Sequence, residues 1–139
     1  MFQRSQHLLN RENSCIRAHK IAPETYAFAL EAQRADKRPK GIGRKQAPTL
    51  PDIYHALIFE GLDIVESGQT SPVFIESEPA EYQIKQIRFS PSDNERLLAF
   101  REKMYAGQYK YGPFKTFPLQ SLAVILMEVA IQQRKEKHG

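Results

Sequence analysis

The sequence predicts a mostly α protein with a short two-stranded antiparallel ribbon, built from two fused strand–helix–helix units that pair within one chain as an intramolecular pseudo-dimer. Three observations predict it. The chain carries an internal repeat. Each copy opens with a short basic segment whose apolar residues alternate. The last helical segment is apolar almost all round, so a single copy could not bury it.

The repeat appears when Ile16-Arg17-Ala18-His19-Lys20-Ile21-Ala22-Pro23 is set against Ile84-Lys85-Gln86-Ile87-Arg88-Phe89-Ser90-Pro91, an offset of 68. Ile16 matches Ile84, Arg17 matches Lys85, Lys20 matches Arg88, Ile21 matches Phe89 and Pro23 matches Pro91. Further on, Leu30 falls on Leu98, and Thr49-Leu50-Pro51 faces Thr116-Phe117-Pro118 at an offset of 67. A loop one residue shorter in the second copy accounts for the change.

Each element follows from local chemistry. In the second strand segment Lys85, Ile87 and Phe89 share one parity and Ile84, Gln86 and Arg88 the other; Ile87 and Phe89 would face a core, so Gln86 and Arg88 would face outward. In the first copy the outward set is Ile16, Ala18 and Lys20, and His19 takes an inward slot. Pro23 and Pro91 suit the first turn of a helix, where a missing N–H costs nothing. Ser90 can cap the second of these helices, and Asp93 and Glu95 favour the positive end of its dipole. Apolar positions are Tyr26, Ala27, Phe28, Ala29 and Leu30 in one copy and Leu97, Leu98, Phe100 and Met104 in the other. The second helix of each copy starts at a capping Thr49 or Thr116, and Asp52 stands at capping-box spacing from Thr49. The helix near 51–66 should bury Ile53, Leu57, Ile58, Leu62 and Val65. The helix near 118–134 carries Leu122, Ala123, Val124, Ile125, Leu126, Met127, Val129 and Ile131.

The expected organisation is an N-terminal arm over 1–13, one unit over 14–66, a linker over 67–81 with a short extended piece at Val73-Phe74-Ile75, and a second unit over 82–139, the two units sharing one core. The tail from Arg134 to Gly139 is expected to fray. With 139 residues, 41% hydrophobic and 26% charged, the composition is that of a globular chain. No apolar run is long enough to span a bilayer, the N-terminus lacks the apolar stretch of a secretory signal, and Cys15 is the only cysteine. These point to a reducing, cytoplasmic setting without a membrane partner.

Charge is unevenly spread. Residues 1–48 carry a net +6, residues 49–84 a net −7 with no Lys or Arg, and residues 85–139 a net +5. Two basic blocks around an acidic one suggest a basic and an acidic face, which suits nucleic acid.

Strand, helix, helix, with basic outward strand positions and the step Phe89-Ser90-Pro91 into a helix, resembles the ribbon-helix-helix family over about residues 14–66 and 82–134. In that family strands from two units form an antiparallel ribbon that enters the major groove, as in the Arc and MetJ types. Two fused copies further resemble relaxosome accessory proteins of the TraY type and the border-processing accessory proteins of the Vir system. That resemblance implies sequence-specific binding of double-stranded DNA in plasmid or conjugative transfer, beside a relaxase or other transfer proteins, by a monomer acting as a pseudo-dimer. Transcriptional repression and partition are the alternative roles, and a protein-interaction module is the alternative class. The inter-helix loops, roughly 36–48 and 105–115, are longer than the family's usual turns.

On this reading Arg88 can pair with guanine and Gln86 with adenine in the major groove, Lys20 is the counterpart of Arg88, and Ala18 offers an apolar contact such as to a thymine methyl. Arg17 and Lys85 would hold phosphates. In the first loop Lys37, Arg38, Lys40, Arg44 and Lys45 read as a phosphate clamp rather than a solvated linker. For the second loop, with Lys110 and Lys115 among Tyr105, Tyr109, Tyr111 and Phe114, clamp and core-packed linker both stand. The helix starts at Thr49 and Thr116 could hold phosphates through backbone N–H groups. No cofactor, metal or catalytic residue is expected. His7, His19, His55 and His138 lack metal-ligand spacing, and Gly41-Ile42-Gly43 lacks the flanks of a phosphate-binding glycine motif.

Overall fold

A computed structural model describes residues 2, 15–40, 46–68, 83–105 and 119–138. Among them the chain runs β1 (Cys15–Ile21), α1 (Pro23–Ala35), α2 (Leu50–Glu66), β2 (Gln83–Phe89), α3 (Pro91–Tyr105) and α4 (Leu119–His138). The protein is thus mostly helical with one two-stranded antiparallel sheet. The expected extended piece at residues 73–75 and the second inter-helix loop beyond Tyr105 lie outside the described residues, as does all of the arm except Phe2.

The strands form where alternation and β-branched content predict them. Their register pairs Cys15 with Phe89, Ala18 with Gln86 and Ile21 with Gln83. His19, Ile21, Ile87 and Phe89 are buried, which fixes the inward parity of both strands. His19 fills its inward slot edge-on to Phe89, with ring centroids 5.1 Å apart. That geometry lets an imidazole replace an aliphatic residue in a wall of aromatic edges.

Helix starts follow their caps. Thr49 and Asp52 make a full capping box, with the Thr49 N–H donating to Asp52 Oδ2 at 2.7 Å and the Asp52 N–H donating to Thr49 Oγ1 at 3.4 Å. Ser90 Oγ accepts from the Asp93 N–H at 3.1 Å. Ahead of Pro23, Ala22 caps without a side chain.

All six elements feed one core. Ile53, Leu57, Ile58, Leu62 and Val65 of α2 are buried as expected, with Ile64 beside them. Of the apolar positions proposed for α1 only Ala29 is buried and Ala27 is exposed, so α1 is the shallowest helix. The main helix contact is α2 on α4. There Gly61 lets the backbones approach, because a Cβ on it would fall 1.9 Å from the Leu126 carbonyl oxygen. The sheet is covered crosswise: α4 packs on β1 and α2 on β2, so each second helix covers the strand of the other half.

One expectation is corrected. Rather than fraying from Arg134, α4 continues to His138. Arg134 is held by a two-pronged bond to Glu60, at 2.8 and 3.0 Å, and its guanidinium lies 4.5 Å from the Phe2 ring centroid. A paired, stacked Arg supports a terminal turn that exposed charges alone would not.

Candidate nucleic-acid interface

The ribbon strands hold Arg17, Lys20, Lys85 and Arg88 and no carboxylate. Alternation separates two sets, and it puts Arg17 and Lys85 on the same parity as the buried His19, Ile21, Ile87 and Phe89. On the parity opposite the buried one, β2 carries Ile84, Gln86 and Arg88, which stand across from Lys20, Ala18 and Ile16 respectively. Gln86 and Lys85 are exposed, and Lys20 and Arg88 are half-buried. Arg17 and Ala18 are described through backbone register alone, across from Ile87 and Gln86.

Ile84 is the residue that the site assignment from sequence omitted. It is 61% exposed and the one large hydrophobic side chain exposed to that degree among the described residues. Its signal was its position: a bulky aliphatic on the outward parity, where a solvated strand face carries polar residues.

The basic loop behaves differently. Lys37 and Lys40 are exposed, but α1 separates them from the ribbon. Its 13 residues carry the chain about 20 Å along the helix axis. Arg38 is already engaged: its Nε lies 3.0 Å from Asp36 Oδ1, and it also donates to the Phe2 carbonyl oxygen. The Arg38 side chain, then its backbone N–H, holds the Asp36 carboxyl down at about 2, so this pair stays charged at any physiological pH. Arg44 and Lys45 lie outside the described residues, as do Lys110, Lys115 and Thr116.

At the start of α2 the Thr49 N–H is donated to Asp52, whose buried carboxylate sits where a phosphate would have to come. A second anion there meets repulsion, and the capping box leaves fewer amides for it.

The described carboxylates of the acidic block, all on α2, have partners within the chain, while Glu76, Glu78 and Glu81 lie outside the described residues. Glu60 bonds Arg134, Asp63 and Glu66 both take Arg96, and Asp52 closes its cap. These pairs tie α2 to α3 and α4. Asp63 nevertheless stays largely exposed beside its Arg96 partner.

Among the described residues, no three His, Cys, Asp or Glu side chains gather as a metal site, and no helix is long and apolar enough to cross a membrane. Comparison of the chain with protein-family models, with curated proteins and with solved structures finds no significant match.

Proposed function

We propose that the chain is a sequence-specific double-stranded-DNA-binding protein of the ribbon-helix-helix kind, whose halves form an intramolecular pseudo-dimer and whose ribbon enters the major groove. The observation that carries this reading is the ribbon itself. It takes one strand from each copy of the repeat, holds four cationic side chains and no carboxylate, and presents Ile84, Gln86 and Arg88 on the parity opposite its buried residues. The crosswise covering of the strands by α2 and α4 supports the pseudo-dimer, since two intertwined units pack in that way. A major groove about 12 Å wide admits a two-stranded ribbon.

In this mechanism Arg88 and Lys20 recognise guanine, Gln86 recognises adenine and Ala18 accepts a thymine methyl. Lys85 and Arg17 hold phosphates, joined by the loop lysines. The rival reading is an acidic surface that docks a basic protein. The biological role we assign is that of an accessory factor in plasmid or conjugative transfer, acting in the cytoplasm beside a relaxase and without cofactor or catalytic step. Repression and partition are the competing roles. This assignment rests on the resemblance of two fused copies to the TraY and Vir accessory proteins.

Fluorescence anisotropy of labelled duplexes across a salt series tests the DNA reading. The expected result is a log–log slope of about −0.9 for each phosphate neutralised, with tighter binding to a selected site than to random duplex. Absence of duplex binding at low salt, or affinity that does not change with salt, would overturn it.

A further inference from the structure

We infer that the DNA site is palindromic in its outer positions and asymmetric only at its centre, and that Gln86 is the residue that breaks the symmetry. The inference rests on the DNA-binding reading above and concerns the symmetry of what the ribbon recognises.

The repeat relates each β1 residue to the β2 residue 68 positions later, so Ile16 corresponds to Ile84, Ala18 to Gln86 and Lys20 to Arg88. The register adds an independent fact. Ala18 stands directly across from Gln86, its own repeat equivalent, and both are the middle residues of their seven-residue strands. A two-fold axis through that pair exchanges the ends of the ribbon. At one end Ile16 stands across from Arg88, and at the other Ile84 stands across from Lys20. Each end therefore pairs one isoleucine with one long cationic residue, in two-fold-related places.

Arg and Lys both serve as guanine ligands, and an aliphatic side chain suits a thymine methyl. The two ends should thus select the same bases in mirrored order. Homodimeric DNA-binding proteins obtain palindromic sites from their symmetry. Here the duplication retains that property at the ends and departs from it only where Ala18 meets Gln86. Gln offers a bidentate pair to adenine and Ala offers only an apolar contact, so the chemistry of the central pair differs across the axis. Residues two apart on a strand lie about 6.8 Å from each other, about two base-pair steps of 3.4 Å. The ends and the centre therefore read different base pairs.

The test is selection from a random duplex library followed by sequencing, with the full-length protein, Gln86→Ala and Ala18→Gln. Gln86 is exposed, and circular dichroism melts check that each variant folds. The wild type should enrich mirrored arms around a centre constrained on one side only. Gln86→Ala should give a palindrome with a tolerant centre, and Ala18→Gln a palindrome constrained on both sides of the centre. Enriched wild-type sites with unlike arms, or a central asymmetry that survives in both variants, would overturn the inference while leaving DNA binding intact. A pool that stays random although duplex is bound would overturn it together with base readout by the ribbon.

Discussion

Ile87 and Arg88 are adjacent in β2 and point to opposite faces, the first buried and the second half-buried. Ile87 is fully buried, so Ile87→Ala should cost about 2–5 kcal/mol through a cavity and change DNA binding only through unfolding. Arg88→Ala should destabilise less than Ile87→Ala and weaken the preferred site by about 1–3 kcal/mol. Thermal melts with site-versus-random binding on both variants check this. If Ile87→Ala alters base preference and Arg88→Ala does not, the register is displaced by one residue. Strand parity was legible because period-2 alternation is a one-body signal: a single misplacement reverses every side chain. The engagement of Arg38 was not legible, because it depends on Asp36 turning back after α1 and on Phe2 arriving from far along the chain. Glu128 gives a second prediction at this scale. Glu128 is exposed at its outer edge, and its carboxyl is pushed up, first by partial desolvation against the helix surface and second by the nearby Glu24. The unfolded chain ionises it more readily, so folding is opposed at pH values above the raised pKa, and the effect vanishes below the ordinary glutamate pKa of about 4.3. Glu128→Gln should therefore raise the melting temperature at pH 7 and leave it unchanged near pH 3. An equal gain at both values would mean that ionisation is not the cause.

Among elements, the α2–α4 crossing is the most sensitive to a single atom. Alanine is the better helix former by about 1 kcal/mol. Yet a Cβ at position 61 meets the Leu126 backbone, which cannot move aside as a flexible side chain could. Overpacking of this kind costs about 1–3 kcal/mol, so Gly61→Ala should lower stability in a denaturant titration despite its helix propensity. An unchanged or higher midpoint would show that the two helices can separate freely. A lone glycine inside an apolar helix pattern was the only trace of this contact in the sequence, because close approach depends on a partner 65 residues away. The caps at Thr49 and Ser90 were legible, since cap chemistry spans three residues. What Asp52 does to the phosphate site at Thr49 follows from the same spacing: a closed capping box already supplies the anion. The loop after α1 is testable as a unit. Neutralising Lys37, Lys40, Arg44 and Lys45, while leaving Arg38 to its Asp36 partner, should weaken binding to all duplexes alike and flatten the salt slope. Unchanged affinity for random duplex would make the loop a connection only.

At the scale of the whole molecule, part of the acidic block is paired internally among the described residues. Arg96 and Arg134 cross from α3 and α4 to the carboxylates of α2. These pairs were not legible, because charge along a chain says nothing about which helices become neighbours. The order of elements and the antiparallel pairing were legible from the matching segments at 16–23 and 84–91, whose alternation and Pro positions predict two strands each leading into a helix. The core was legible in composition but not in its crosswise arrangement, where each second helix lies on the strand of the other half. On the proposed reading the ribbon is the base-reading surface, with the loop lysines adding phosphate contacts. The most direct test is an amide-resolved NMR titration of the full chain with a selected duplex at moderate salt. The account predicts that the largest shifts fall at Lys20, Ile84, Gln86 and Arg88, with the α2–α4 crossing around Gly61 and Leu126 nearly unmoved. Saturable binding that leaves the ribbon amides in place and shifts α2 or α4 instead would contradict it.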